Sequence, residues 1–200
     1  MDPEARAKRK EMRERIKRAN KALSLDSMIR DDRKRYPSLS EALTSPGFWI
    51  VVSYRLSNWL SHHHLDFLGM ILQLLNLFIF NCDISRRATI GSGCCIYHPM
   101  GIFIGPMVIM GSSCTIGPHI FIGAKKKAQD PEDYPILGNS VVLGAAAQLY
   151  GGIVVGDSVK IGPGAILFKD VPEGHLIFSP NPRAIKREVW NDERFNKKNW

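Results

Sequence analysis

The sequence predicts a parallel β-helix built from hexapeptide repeats and preceded by an α-helical segment. Three observations carry the prediction. An aliphatic residue returns every sixth position, at Ile84, Ile90, Ile96, Ile104, Met110, Ile116, Ile122, Leu137, Leu143, Leu149, Val155, Ile161 and Leu167. Gly follows the aliphatic residue at most of these positions, from Gly91 to Gly162. Two residues before each aliphatic stands a second in-phase residue that is small or β-branched, such as Cys82, Ala88, Cys94, Val108, Cys114, Ala147 and Ala165. A six-residue period fits neither a 3.6-residue helix nor an alternating strand. It fits a solenoid in which each repeat is one short strand and one tight turn.

In such a solenoid the aliphatic side chain points inward and stacks on its equivalent one coil away. The glycines are expected where the chain turns sharply, with positive φ. Three repeats make one coil, so the visible repeats predict about four coils. Two interruptions break the phase. A two-residue slip holds His98 and Pro99, and a longer insertion, residues 124–135, is charged and carries Pro. A solenoid accommodates insertions as excursions from its corners, so the long one should protrude as a loop.

The elements read in order as follows. The first 21 residues hold nine Lys/Arg against four Asp/Glu, with Met12, Ile16, Ala19 and Leu23 on one narrow stripe, and residues 1–30 read as a solvated basic helical arm. Residues 31–37 are a polar break. Ser38 or Ser40 caps a short helix, Pro46-Gly47 forms a turn, and Phe48 to Leu60 is a helix apolar on one face. A His62-His63-His64 run follows; neighbours in sequence rarely converge on one metal ion, and no metal is expected. Leu65 to Phe80 is apolar but short and interrupted by Asp66, Gln73 and Asn76, which favours a buried packing helix over a membrane span. The expected division is a helical region at 1–82, the β-helix at 83–182 with an irregular exit at 172–182, and a charged tail at 183–200 that caps the last coil.

Composition narrows the class. The 200 residues carry a formal net charge of +8. The basic arm has no accompanying motif for nucleic acid, and no nucleic-acid partner is expected. Cys82, Cys94 and Cys114 fall on inward positions and Cys95 beside one, with no CxxC pair, which reads as reduced apolar filler in a reducing compartment. The charged N-terminus lacks the apolar stretch of a signal peptide. A cytoplasmic location is expected, with peripheral contact at the inner face of a membrane left open.

Four landmarks give a family resemblance over residues 36–185. Pro46-Gly47-Phe48 followed by Tyr54-Arg55, Asp83-Ile84 at the entry to the first coil, His98 followed by Gly101, and Ser179-Pro-Asn-Pro-Arg-Ala-Ile185 each resemble segments of the serine acetyltransferase family of hexapeptide acyltransferases. The resemblance implies a left-handed β-helix, against the usual right-handed crossover. It also implies a homotrimer, with pairing of trimers left open, and acetyl-CoA bound between subunits. His98 matches the general base and Asp83 the carboxylate that supports it. A neutral imidazole can take a hydroxyl proton as oxygen attacks the thioester. Gly123, Lys127, Ala145, Lys160 and Gly162 match the positions around acetyl-CoA.

The sequence departs from the serine-specific pattern at two places. Tyr97 stands where those members carry Asp, and Asp133-Tyr134 stands where they carry Arg-His. A site for a free amino acid would lose its opposite charges, whereas Tyr97, Asp133 and Tyr134 suit a sugar. The expectation is therefore an acetyl-CoA-dependent O-acetyltransferase acting on a carbohydrate hydroxyl of a bacterial surface polysaccharide or its precursor. The alternatives are a serine O-acetyltransferase of cysteine biosynthesis and a non-catalytic trimeric scaffold.

Overall fold

The hexapeptide period closes into triangular coils. In the structure, a computed structural model that describes residues 3–126 and 129–179, strands β1 (Cys82–Ile84), β2 (Thr89–Ile90) and β3 (Cys95–Ile96) form the first coil. The second holds β4 (Ile102–Ile104), β5 (Ile109–Met110) and β6 (Thr115–Ile116). The third holds β7 (Phe121–Gly123), β8 (Ile136–Leu137) and β9 (Val142–Leu143). The fourth holds β10 (Gln148–Tyr150), β11 (Val154–Val155) and β12 (Lys160–Ile161). The last begins with β13 (Ile166–Leu167), touches β11 through a Val171–Val155 bridge, and ends in β14 (Leu176–Ile177). All pairings are parallel, and they make three sheets: β1-β4-β7-β10-β13, β2-β5-β8-β11 and β3-β6-β9-β12-β14. The fold is a left-handed parallel β-helix of about five coils, not four. The last coil is closed by Val171, Leu176 and Ile177, where the aliphatic-Gly pattern has faded and an irregular exit was expected.

Register explains the period. Ile84, Ile104, Ile122, Leu149 and Leu167 are successive partners across the first sheet, and all are buried. Each fully buried aliphatic side chain is worth roughly 1.5–3 kcal/mol. Cys82, Cys94 and Cys114 are in the same core, as the repeat phase requires, and Cys95 is buried on the outer side against Tyr36, Ala42 and Phe48.

The glycines serve a different purpose from the one expected. None that follows an inward aliphatic has positive φ; the left-handed corner positions are instead residues such as Gly93, Ser113, Ser140 and Ser158. The repeat glycines are demanded by contact between coils. A Cβ on Gly144 would stand 2.8 Å from the Ile161 carbonyl oxygen, closer than real side chains come to backbone.

Five helices precede the solenoid: α1 (Pro3–Lys21), α2 (Leu25–Arg33), α3 (Leu39–Thr44), α4 (Pro46–His62) and α5 (Asp66–Phe80). Helix α2 occupies part of the segment read as a polar break, and Ser24 Oγ caps it by accepting the Ser27 amide at 3.2 Å. Ser38 Oγ caps α3, accepting the Glu41 amide at 3.1 Å. Pro46 begins α4, where a missing N–H costs nothing. A Cβ on Gly47 would collide with the Ile96 carbonyl, so glycine lets α4 approach β3. Helix α4 closes the open end of the first coil with Ile50, Val51 and Tyr54. Arg55 fastens it further: its guanidinium pairs with the fully buried Asp32 of α2 at 3.0 Å and donates to the Ile90 and Gly91 carbonyls.

Helix α5 was expected to be buried. It lies along α4 instead, and its outer face exposes Phe67, Leu68, Ile71, Leu74, Leu75, Phe78 and Ile79, with Phe78 at 80%. The reason is geometric: α4 already plugs the coil, so α5 has one side to bury. The basic arm also differs from expectation. Helix α1 is not solvated all round; Met12 and Ile16 pack on Ile109 and Ile136 of the second sheet, and Arg9 is 1% exposed. Among the described residues no helix is long and apolar enough to cross a membrane.

Candidate active site

Most of the candidate residues fall at the two edges of the first sheet; Asp83 lies within its strand β1, and Lys160 lies on the third sheet. The turns that enter the first sheet hold His98 and Gly101, then His119, then Ala145 and Ala146, then Gly162 and Gly164, one coil below another. The turn that leaves it after β7 carries residues 124–135. A three-residue strand separates the two edges by roughly 10 Å.

His98 sits in the turn between β3 and β4 with a φ of +52°, and its imidazole is exposed. The turn is held by its backbone: the Met100 amide donates to the His98 carbonyl at 2.8 Å, and the Gly101 amide to the Asn81 carbonyl at 3.0 Å. Asp83 lies on β1, half-buried and level with Phe103 of β4. Its Oδ1 accepts from Gln73 Nε2 of α5 at 2.7 Å. Among the described residues no hydrogen bond or ion pair joins Asp83 to His98. Tyr97 is 51% exposed on the same turn, and the Cys95 thiol beside it raises its hydroxyl above the ordinary value. Tyr97 therefore offers a neutral hydroxyl at neutral pH.

The other matched positions divide between the edges. Ala145 and Gly162 share the His98 corner, while Lys160 is exposed on β12 of the third sheet, two residues before Gly162. Gly123 is at the opposite edge and is buried beneath aromatic rings; Phe121 ring atoms lie 3.0 Å from where its Cβ would stand. Lys127 lies outside the described residues. Asp133 Oδ2 accepts the Lys126 amide at 2.6 Å, which closes the neck of the loop. Tyr134 is a correction. It was expected to present its ring to a sugar, but it is only 3% exposed, with its ring against Gly105 and its carbonyl bonded to Arg9. A ring so covered has no face to offer.

Three features escaped the sequence reading. Phe103, Phe121, Tyr150 and Phe168 stack in a ladder along the outer side of the first sheet, with ring centroids 4.9, 4.7 and 5.3 Å apart. The ladder starts one strand from Asp83, and Lys125 Nζ stands 5.2 Å from the Phe168 ring centre. Its signal was in the repeat phase: Phe103 and Phe121 occupy the outward slot between two inward residues, as Asp83 does. The second feature is His119, whose ring lies beneath Gly101 in the His98 corner. The third is Arg9, which no local pattern distinguishes from its neighbours in a basic helix. Among the described residues there is no group of three His, Cys, Asp or Glu placed to hold a metal ion. His62 and His63 instead place Nδ1 2.8 Å from the Asn58 and Trp59 carbonyls.

Three parallel sheets whose inward residues recur every sixth position place the chain in the hexapeptide-repeat class. Comparison with known proteins narrows this. No family model matches the chain. It is 33% identical over 165 residues to a serine acetyltransferase of Helicobacter pylori, covering 82% of this chain and 96% of that one. It is 34% identical to the serine acetyltransferase of Synechococcus elongatus over 74% of this chain, and spans 61% of that relative's length. The soybean serine acetyltransferase, solved in complex with serine, superposes with a TM-score of 0.69 at 28% identity over 76% of this chain and 64% of that one. The chain belongs to the serine acetyltransferase family. These relatives overturn the carbohydrate-acceptor expectation, and the burial of Tyr134 removes one of the three residues on which it stood.

Proposed function

We propose that this protein is an acetyl-CoA-dependent serine O-acetyltransferase with His98 as general base. The observation that carries the reading is the near full-length match to a serine acetyltransferase together with an exposed His98 at the corner facing Asp83's sheet. His98 takes the proton of the serine hydroxyl, and the oxygen attacks the thioester carbonyl. The C–S bond breaks, CoA leaves as thiolate, and the imidazolium returns its proton to sulfur. Asp83, one strand from β4, orients and stabilises the imidazolium once Gln73 yields it. Free serine needs charges of both signs to be held; Lys125, Lys126 and Asp133 of the loop supply them, and Tyr97 adds a neutral donor.

The pantetheine arm of acetyl-CoA runs along the column of small residues at the His98 corner, past Ala145 and Gly162, with Lys160 as a further contact; Gly123, covered by the Phe121 and Phe103 rings at the opposite edge, does not touch it. Because His98 and the loop stand at opposite edges of one sheet, a complete site needs the loop of a second copy beside His98 of the first. A homotrimer with three such sites satisfies this. Thioester consumption with L-serine as acceptor tests the function, with homoserine and nucleotide sugars as controls. Turnover with serine alone supports it; consumption only with another acceptor defeats it.

A further inference from the structure

We infer that helix α1 is an internal strap and that Arg9 is the positioning residue through which it sets the 124–135 loop. Arg9 Nε donates to Glu132 Oε2 at 2.9 Å, and its Nη2 to the carbonyls of Pro131 at 3.2 Å and Tyr134 at 2.5 Å. Its Nη1 reaches the Ile153 carbonyl at 3.4 Å, tying the loop to the coil below. Arg13 adds a second hold, to Glu132 at 2.7 Å and the Pro131 carbonyl at 3.1 Å. Two guanidinium groups thus grip the returning limb of the loop from a helix more than a hundred residues away in sequence.

The chemistry distinguishes this from mere adhesion. Met12 and Ile16 already attach α1 to the second sheet by apolar contact. Burying an arginine is expensive unless its donors are used, and here a planar fork meets three carbonyls and a carboxylate that are fixed relative to one another. A lysine or an apolar residue cannot hold that set. With Pro131 to Tyr134 fixed, the Tyr134 ring is seated on Gly105, and Asp133 is placed to accept the Lys126 amide and close the loop's neck. Lys125 is then directed over Phe168 at the end of the aromatic ladder. That this loop borders the serine site rests on the function proposed above; that Arg9 fastens it does not.

Lys125 and Lys126 are exposed and make the loop cleavable by trypsin, which gives a readout independent of activity. In Arg9→Met, cleavage after Lys125 and Lys126 should quicken at least tenfold, with the cooperative unfolding of the β-helix retained. The KM for serine should rise about tenfold while kcat changes less than threefold. Arg9→Lys keeps the charge and the stem but not the fork, and serves where Arg9→Met fails to fold; its cleavage should quicken severalfold. Unchanged cleavage in a folded variant overturns the strap. Faster cleavage in a protein that does not acetylate serine keeps the strap and removes the proposed function. Faster cleavage with the serine KM unmoved confines Arg9 to fastening the loop and overturns its positioning role.

Discussion

The imidazole of His119 lies directly beneath Gly101, with Nδ1 2.5 Å from where a Cβ on Gly101 would stand. Gly101 also has a φ of +63° and ends the turn that carries His98. Gly101→Ala therefore meets two obstacles, a strained backbone and a ring one coil below. It should cost about 1–3 kcal/mol in urea unfolding. Because the His98 turn must shift to accommodate the methyl group, turnover should fall further than stability does. A folded Gly101→Ala protein with unchanged turnover would separate the turn's geometry from its chemistry.

Replacing His98 by Ala should lower kcat by about 10²–10⁴-fold, the range for loss of a general base. Acetyl-CoA binding, followed by calorimetry, should change little, because the base serves the acceptor. Gln73→Ala should have a smaller effect, since it releases Asp83 from its present partner. Near-normal turnover in His98→Ala would sink the mechanism.

The buried pair Asp32–Arg55 links α2, α4 and the first coil. Removing one partner leaves a charge with no counter-ion in a dry site. Asp32→Ala should destabilise by about 3–5 kcal/mol. The double replacement Asp32→Ala with Arg55→Met should cost less than the two single changes added together. Additivity in a double-mutant cycle would show that the pair is not coupled.

The aromatic ladder should show pairwise coupling of about 0.5–1.5 kcal/mol between Phe103 and Phe121, beyond the area each buries. Chemical denaturation of Phe103→Leu, Phe121→Leu and the double variant measures it. Coupling indistinguishable from zero would make the ladder a coincidence of register.

The four cysteines are free and buried, and burial raises Cys114 from 9.0 to about 11. A thiol that ionises later in the folded protein than in the unfolded chain contributes stability that is whole below pH 9 and lost as pH climbs toward 11. The loss from Cys114 should be on the order of 2–3 kcal/mol, and Cys114→Ala should remove that share while leaving the contributions of Cys82 and Cys94, which burial also raises. A thiol reagent at pH 8 should find no reactive cysteine until denaturant is added; rapid labelling of the native protein would contradict the burial.

The solenoid is written in the repeat. Inward residues at a fixed period must stack whatever precedes them, so Ile84 to Leu167 dictated the core, and the slip at His98-Pro99 and the insertion at 124–135 marked the two corners where candidate residues stand. Asp83 was legible too, since the repeat phase fixes which side chains point outward; Phe103 and Phe121 stand in the same slot, but their stacking shows only once the coils are superposed. The relations between distant segments emerge only in the folded chain. The grip of Arg9 on Pro131 and Tyr134, the burial of Tyr134, the exposure of one face of α5 and the seat of His119 under Gly101 all depend on how a helix lies against a sheet or one coil on the next. A basic helix looks solvated in sequence because its charges are visible and their partners, more than a hundred residues away, are not. The physical reason is that periodicity reports local geometry, whereas the satisfaction of a buried charge or carbonyl is a property of the assembled interior.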